Sequence, residues 1–138
     1  MTTQAQVVDH MLLHDKYSQW LGIIVLQISE GYSKIQMTVR PEMLNGLGIV
    51  HGGIAFGFAD SAFAFACNNR NVVSVALDTA INFLKPVLVG DVLIAQTTEL
   101  HNGKSTGLYQ VAITNQQLQT VAIFKGTCFR TNKPVVAL

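Results

Sequence analysis

A chain of 138 residues and 15.0 kDa has the length of one domain with a real hydrophobic core, so a single domain over residues 1–138 is expected and a multidomain arrangement is excluded. Hydrophobic residues make up 49% and charged residues 12%, against a charged share of about 25% in ordinary globular domains, which excludes disorder and predicts that apolar surface is buried against copies of the same chain. A formal charge of +1 lacks the basic footprint of nucleic-acid binding, no apolar run approaches the roughly 18 residues that span a bilayer, and the opening MTTQAQVVDH is no signal peptide; neither nucleic acid nor membrane is expected as a partner, and the expected location is cytoplasmic.

Val7, Val8, Met11 and Leu12, followed by Tyr17, Trp20 and Leu21, approximate helical spacing and predict one short N-terminal helix that stops at Gly22. Ile23–Ser29 and Tyr32–Arg40 are rich in β-formers and flank Glu30-Gly31, which predicts a hairpin. Residues 41–50, PEMLNGLGIV, have one Pro, two Gly and no period, and read as a loop. Gly52–Cys67, GGIAFGFADSAFAFAC, predicts a helix of about four turns that is apolar on every face and therefore enclosed, with Asn68-Asn69-Arg70-Asn71 as its stop signal. Four strands are expected next, at Val72–Leu84, Asp91–Leu100, Thr106–Thr114 and Thr120–Phe129, joined as a meander. The predicted class is α+β, an antiparallel sheet wrapped around one long helix.

Asp60 is the only charged residue between Glu42 and Arg70, and its helical neighbours Phe56, Gly57, Phe63 and Ala64 offer it no polar face. An unpaired carboxylate in apolar surroundings costs several kcal/mol, so a fold that keeps one commonly uses it; the structural alternative is an Asp satisfied by Ser61 or a backbone donor. His51-Gly52-Gly53 stands where the loop meets the helix, whose first N–H groups lack intrahelical partners and suit developing negative charge. Carboxylate and backbone donor together are a minimal set for acyl transfer to water, with Asp60 acting as general base or as a nucleophile that forms an anhydride.

Asn45 through Asp60, NGLGIVHGG followed by AD, resembles the signature of hotdog-fold acyl-CoA thioesterases, and the longer run MLNGLGIVHGGIAFGFADSAFAFACN is similar to those of the phenylacetic-acid-degradation (PaaI-like) family. The likeness extends to the preceding hairpin, to INFLKPVLVGD and to the late strands. The resemblance implies a hotdog fold, acyl-CoA hydrolysis without a cofactor beyond the CoA of the substrate, and a dimer or dimer of dimers. It implies that Asp60 is the catalytic carboxylate, that the Gly52 N–H polarises the thioester carbonyl, that Asn45 orients water or thioester, and that His51 shapes the loop or contacts the same group. Some relatives place a hydroxyl where this chain has Ala76; Ser74 and Thr79 are the nearby substitutes, and strand alternation leaves the choice between them open.

An imidazole beside a Gly pair at a helix start more often supports the loop than moves protons, and His10 and His14, four apart, lack a third ligand for a metal. Cys67 and Cys128 form no CxxC pattern and read as separate packing residues. Lys85, Lys104, Lys125 and Arg70 are candidates to meet CoA phosphates, and Leu47, Phe56, Phe63 and Phe83, with Gly53 at the helix start, are candidates for the acyl pocket. Gly52 and Asp60 lie eight residues apart, about 12 Å along a continuous helix, too far for both to attend one carbonyl; a site shared between two antiparallel helices of a dimer follows. The competing functions are an acyl-CoA sensor without turnover, a thioesterase for acyl-carrier-protein substrates, and a hotdog hydratase.

Overall fold

The computed structural model describes residues 2–137. Where one N-terminal helix is expected there are two, α1 (Gln4–His14) and α2 (Lys16–Leu21). Asp15 divides them: its carboxylate accepts from the Ser18 N–H at 2.9 Å and the Ser18 hydroxyl at 2.5 Å, so it caps the second helix instead of continuing the first. Gly22 ends α2 in the left-handed region at φ 77°.

The hairpin follows as β1 (Ile24–Ser29) and β2 (Tyr32–Thr38), then the central helix α3 (Gly52–Asn68), β3 (Ser74–Phe83), β4 (Val92–Asn102), β5 (Thr106–Thr114) and β6 (Thr120–Arg130). One antiparallel sheet in the order β1-β2-β4-β5-β6-β3 curls around α3, which touches every strand from β2 to β6. This is the hotdog arrangement that the resemblance implied. Inward positions alternate along the strands: Ser33, Ile35 and Met37 on β2, and Tyr109, Val111 and Ile113 on β5, are all buried.

The meander expectation fails at β3. β4, β5 and β6 do run as a meander, but β3 pairs with β6 at the edge of the sheet opposite β1 and not with β4, its successor in sequence. Two asparagines of the stop signal fix this exit. Asn68 donates to the Ala64 and Ser74 carbonyls and accepts from the Ser74 N–H at 2.8 Å, while the buried Asn69 donates to the Ser29 and Tyr32 carbonyls and accepts from the Gly31 N–H.

Enclosure of α3 is also incomplete within one chain. Gly53 is exposed, and Gly57, Asp60 and Ala64 are half-buried, forming a stripe at helical spacing that the sheet does not cover, with the half-buried Phe56 at its border. The two cysteines are buried as expected; the Cys67 thiol donates to the Ala64 carbonyl at 3.7 Å, and the neighbouring Cys128, with burial, pushes the Cys67 thiol up. No helix among the described residues is long and apolar enough to cross a membrane.

Candidate active site

The loop before α3 is built around Asn45. Its side-chain oxygen accepts from the Leu47 N–H at 2.8 Å and the Ile49 N–H at 3.4 Å, and its backbone N–H donates to the Ile49 carbonyl at 2.8 Å. These bonds close a tight loop whose return, Val50, is held to the Val87 carbonyl at 2.7 Å. His51 is the helix cap: its Nδ1 accepts from the Gly53 N–H at 2.9 Å, and its carbonyl accepts from Ile54. That occupies the Gly53 donor. The Gly52 N–H, next to it at the positive end of the helix, has no hydrogen-bond partner among the described residues.

A cavity of about 330 Å³ opens at this N–H, lined by Asn45, Gly52, Phe83 and Lys85 together with Ile49, Ala55, Pro86 and Val121. Leu84 and Lys85 both donate to the Val121 carbonyl, which fixes the far wall, and the Phe83 ring lies against Gly52. Four of the residues singled out in the sequence are thus brought together. The others are not. Leu47 is 85% exposed at the loop tip, and Phe63 is buried in the core against Tyr109 and Phe124, since helical spacing turns it toward the sheet. Phe56 stacks edge-on with Phe124 at 5.5 Å.

The basic residues separate in the same way. Lys125 lies with Asp78 and Ala80 at a different cavity, and Lys104 and Arg70 line a larger one of about 700 Å³ beyond the other end of α3. That larger cavity holds no residue of the acyl-transfer set, and its arginines are committed: Arg70 pairs with Glu99 at 2.5 Å and Glu30 at 3.0 Å, and Arg130 donates to Gly103, Asn102 and Tyr109. Only Lys85 stands where the candidate chemistry is.

Asp60 sits on the uncovered stripe of α3 and does not line the Gly52 cavity. No hydrogen bond reaches its carboxylate among the described residues; Ser61 instead shares a 2.8 Å bond with Ser18. Burial, and then the negative charge of Asp15, raise the Asp60 pKa above the usual carboxylate range. Asp15 and Tyr17 were not found from the sequence. α2 lays them beside Asp60, and the phenol of Tyr17 is pushed up by burial and by the Asp60 charge. One signal was available, Gly57 inside a long helix, whose missing side chain makes room for the Tyr17 ring. Of the two hydroxyl candidates, Ser74 donates to the Val72 carbonyl at 3.1 Å, and Thr79 lies half-buried along β3.

Residues 47–122 match the model of the thioesterase superfamily. The chain is 43% identical over 120 residues to the acyl-coenzyme A thioesterase PaaI of Escherichia coli, covering 87% of this chain and 86% of that protein. The solved structure of the E. coli PaaI protein from the phenylacetic acid degradation operon superposes with a TM-score of 0.93 at 40% identity over 95% of both chains. A hypothetical thioesterase of Streptococcus pneumoniae solved with coenzyme A superposes at 0.79, with 28% identity, over 81% of this chain and 88% of that one.

Proposed function

The chain belongs to the thioesterase superfamily and is an acyl-CoA thioesterase, and from that premise we propose that its active site is composite, with the Gly52 N–H of one protomer and Asp60 of another acting on one thioester. The observation that carries this reading is that the free Gly52 N–H opens into a cavity that Asp60 of the same chain does not line. Antiparallel packing of two α3 helices along the stripe Gly53, Gly57, Asp60 would bring each Asp60 to the other chain's helix start. In the cavity Asn45 orients water or thioester, Lys85 meets the CoA phosphates, and Phe83 contacts the acyl group. His51 supports the loop by capping the helix. Attack on the carbonyl carbon, by a water that gives its proton to Asp60 or by the Asp60 carboxylate itself, puts negative charge on the carbonyl oxygen, which the Gly52 N–H receives. Collapse breaks the C–S bond and releases the CoA thiolate, leaving the acid or an anhydride that water then opens.

The apolar lining, and the phenylacetic acid degradation operon from which the E. coli relative comes, point to an arylacetyl or related acyl-CoA. The enzyme is proposed to act in the cytoplasm as a homodimer or dimer of dimers. Thiol release across phenylacetyl-CoA, hydroxylated aryl-CoAs and straight-chain acyl-CoAs tests the substrate class; faster cleavage of the straight chains would reject it. Mixing Asp60→Ala with Gly52→Pro, which deletes the N–H, tests the composite site. Heterodimers that regain activity carry it, and heterodimers that form yet remain inactive refute it.

A further inference from the structure

The uncovered stripe of α3 carries one more group able to make a directed bond. Tyr17 projects from α2 onto Gly57, where a methyl group would collide with its hydroxyl. Alanine favours a helix interior over glycine by roughly 1 kcal/mol, so this position gives up helix stability where the phenol lies. α2 is held rigidly at both ends. Ser18 joins Asp15 to Ser61 of α3, and Arg40 donates to the Trp20 carbonyl at 2.6 Å and the Leu21 carbonyl at 3.1 Å while lying over the Trp20 ring at 5.1 Å. The helix that carries the ring is therefore fixed, and the ring lies against Gly57.

Its hydroxyl is not used up by that anchoring. The contact with the Gly53 carbonyl is 3.5 Å, beyond the usual length of an O–H···O bond, and that carbonyl already serves the helix ladder. Tyr17 remains 45% exposed beside Asp60, on a stripe whose other members, Gly53, Gly57 and Ala64, have no polar side chain. We propose that Tyr17 is a specificity-determining residue of the thioesterase: its phenol donates a hydrogen bond to a polar ring substituent, such as a hydroxyl, on an aryl acyl group held beside Asp60. This rests on the composite-site reading above. Lys85 marks the Gly52 end as the side from which the CoA phosphates leave, so the acyl group, in contact with Phe83 near the carbonyl, extends its far end toward Tyr17 of the protomer that supplies Asp60. A single fixed donor in an otherwise apolar wall is how a pocket selects one hydroxylated ring over its unsubstituted counterpart.

The test is the ratio of kcat/KM for 4-hydroxyphenylacetyl-CoA to that for phenylacetyl-CoA. Tyr17→Phe keeps the ring and its packing, and the ratio is expected to fall about three- to tenfold, the span of one neutral hydrogen bond. Gly57→Ala expels the phenol while leaving it in the chain and is expected to lower the ratio likewise. A ratio unchanged in Tyr17→Phe, whether both substrates keep their rates or lose them equally, overturns the assignment. So does a matching loss in inhibition by free CoA, which would place the phenol on the pantetheine arm. Failure of the composite site is read separately, from the mixed Asp60→Ala and Gly52→Pro dimers, which carry Tyr17 unchanged.

Discussion

Asp60 is costly to the fold, and its cost depends on pH. Because burial raises its folded value above the ordinary one, the stability it contributes is fully present below the ordinary carboxylate range and is lost as pH rises through the raised value. Asp60→Asn is therefore expected to raise thermal stability at neutral pH, with the advantage over wild type closing as pH falls toward 3. The same change removes the proposed base or nucleophile, and kcat is expected to fall at least about 10²-fold with the fold intact, as thiol release and circular dichroism will check. Asp15 adds to the shift, and Asp15→Asn keeps a capping side chain on α2 while deleting the charge. Its pH–rate profile is expected to move its acid limb to lower pH, since Asp60 then ionises more readily. An unmoved limb would separate Asp15 from the site electrostatically.

At the scale of elements, the site depends on how α3 begins and ends. His51 caps the start and leaves the Gly52 N–H free, whereas Asn68 and Asn69 tie the end to β3 and to the hairpin turn. Asn69 is 1% exposed and bonds three backbone groups of residues 29–32, so Asn69→Ala removes these bonds and leaves the buried Gly31 N–H bond to Asn69 unreplaced. A loss of about 1–3 kcal/mol is expected, seen as a lower urea midpoint with an unchanged slope. The stop signal was legible as a run of Asn and Arg, but the partners of those side chains were not. Asn68 finds its partners within six residues, but those of Asn69, Arg70 and Asn71 lie 29 to 65 residues away in sequence, and nothing local to residues 68–71 specifies them.

At the scale of the molecule, β3 is a ten-residue edge strand with most of its residues exposed, Val75 and Leu77 among them. An edge of that length with apolar side chains is a template for pairing with another strand. Two copies of β3 placed edge to edge would extend the sheet across a two-fold axis and set their α3 helices antiparallel, as the composite site requires. Leu77→Lys is expected to shift the protein to monomer in sedimentation and to abolish turnover while Asp60 and Gly52 remain intact. A fully active monomer would place the whole site within one chain.

Low charge content, the apolar helix with its solitary Asp60 and the His51-Gly52-Gly53 start were all present in the sequence, because burial preference, helical period and capping are local properties. With the order of helices and strands they pointed to an antiparallel sheet around one helix and to a candidate acyl-transfer site, while the hotdog fold and thioesterase activity entered through the resemblance carried by Asn45–Asp60. Tertiary structure decided the rest. It broke the N-terminal helix at Asp15, sent β3 to the far edge, turned Phe63 into the core and left Lys104 and Lys125 away from the Gly52 cavity that Lys85 lines. It also laid Tyr17 and Asp15 beside Asp60, some 45 residues on in the chain, through a contact whose only local trace is the glycine at position 57. Strand order and helix docking come from which apolar faces can be buried together, and that choice is made by the whole chain at once.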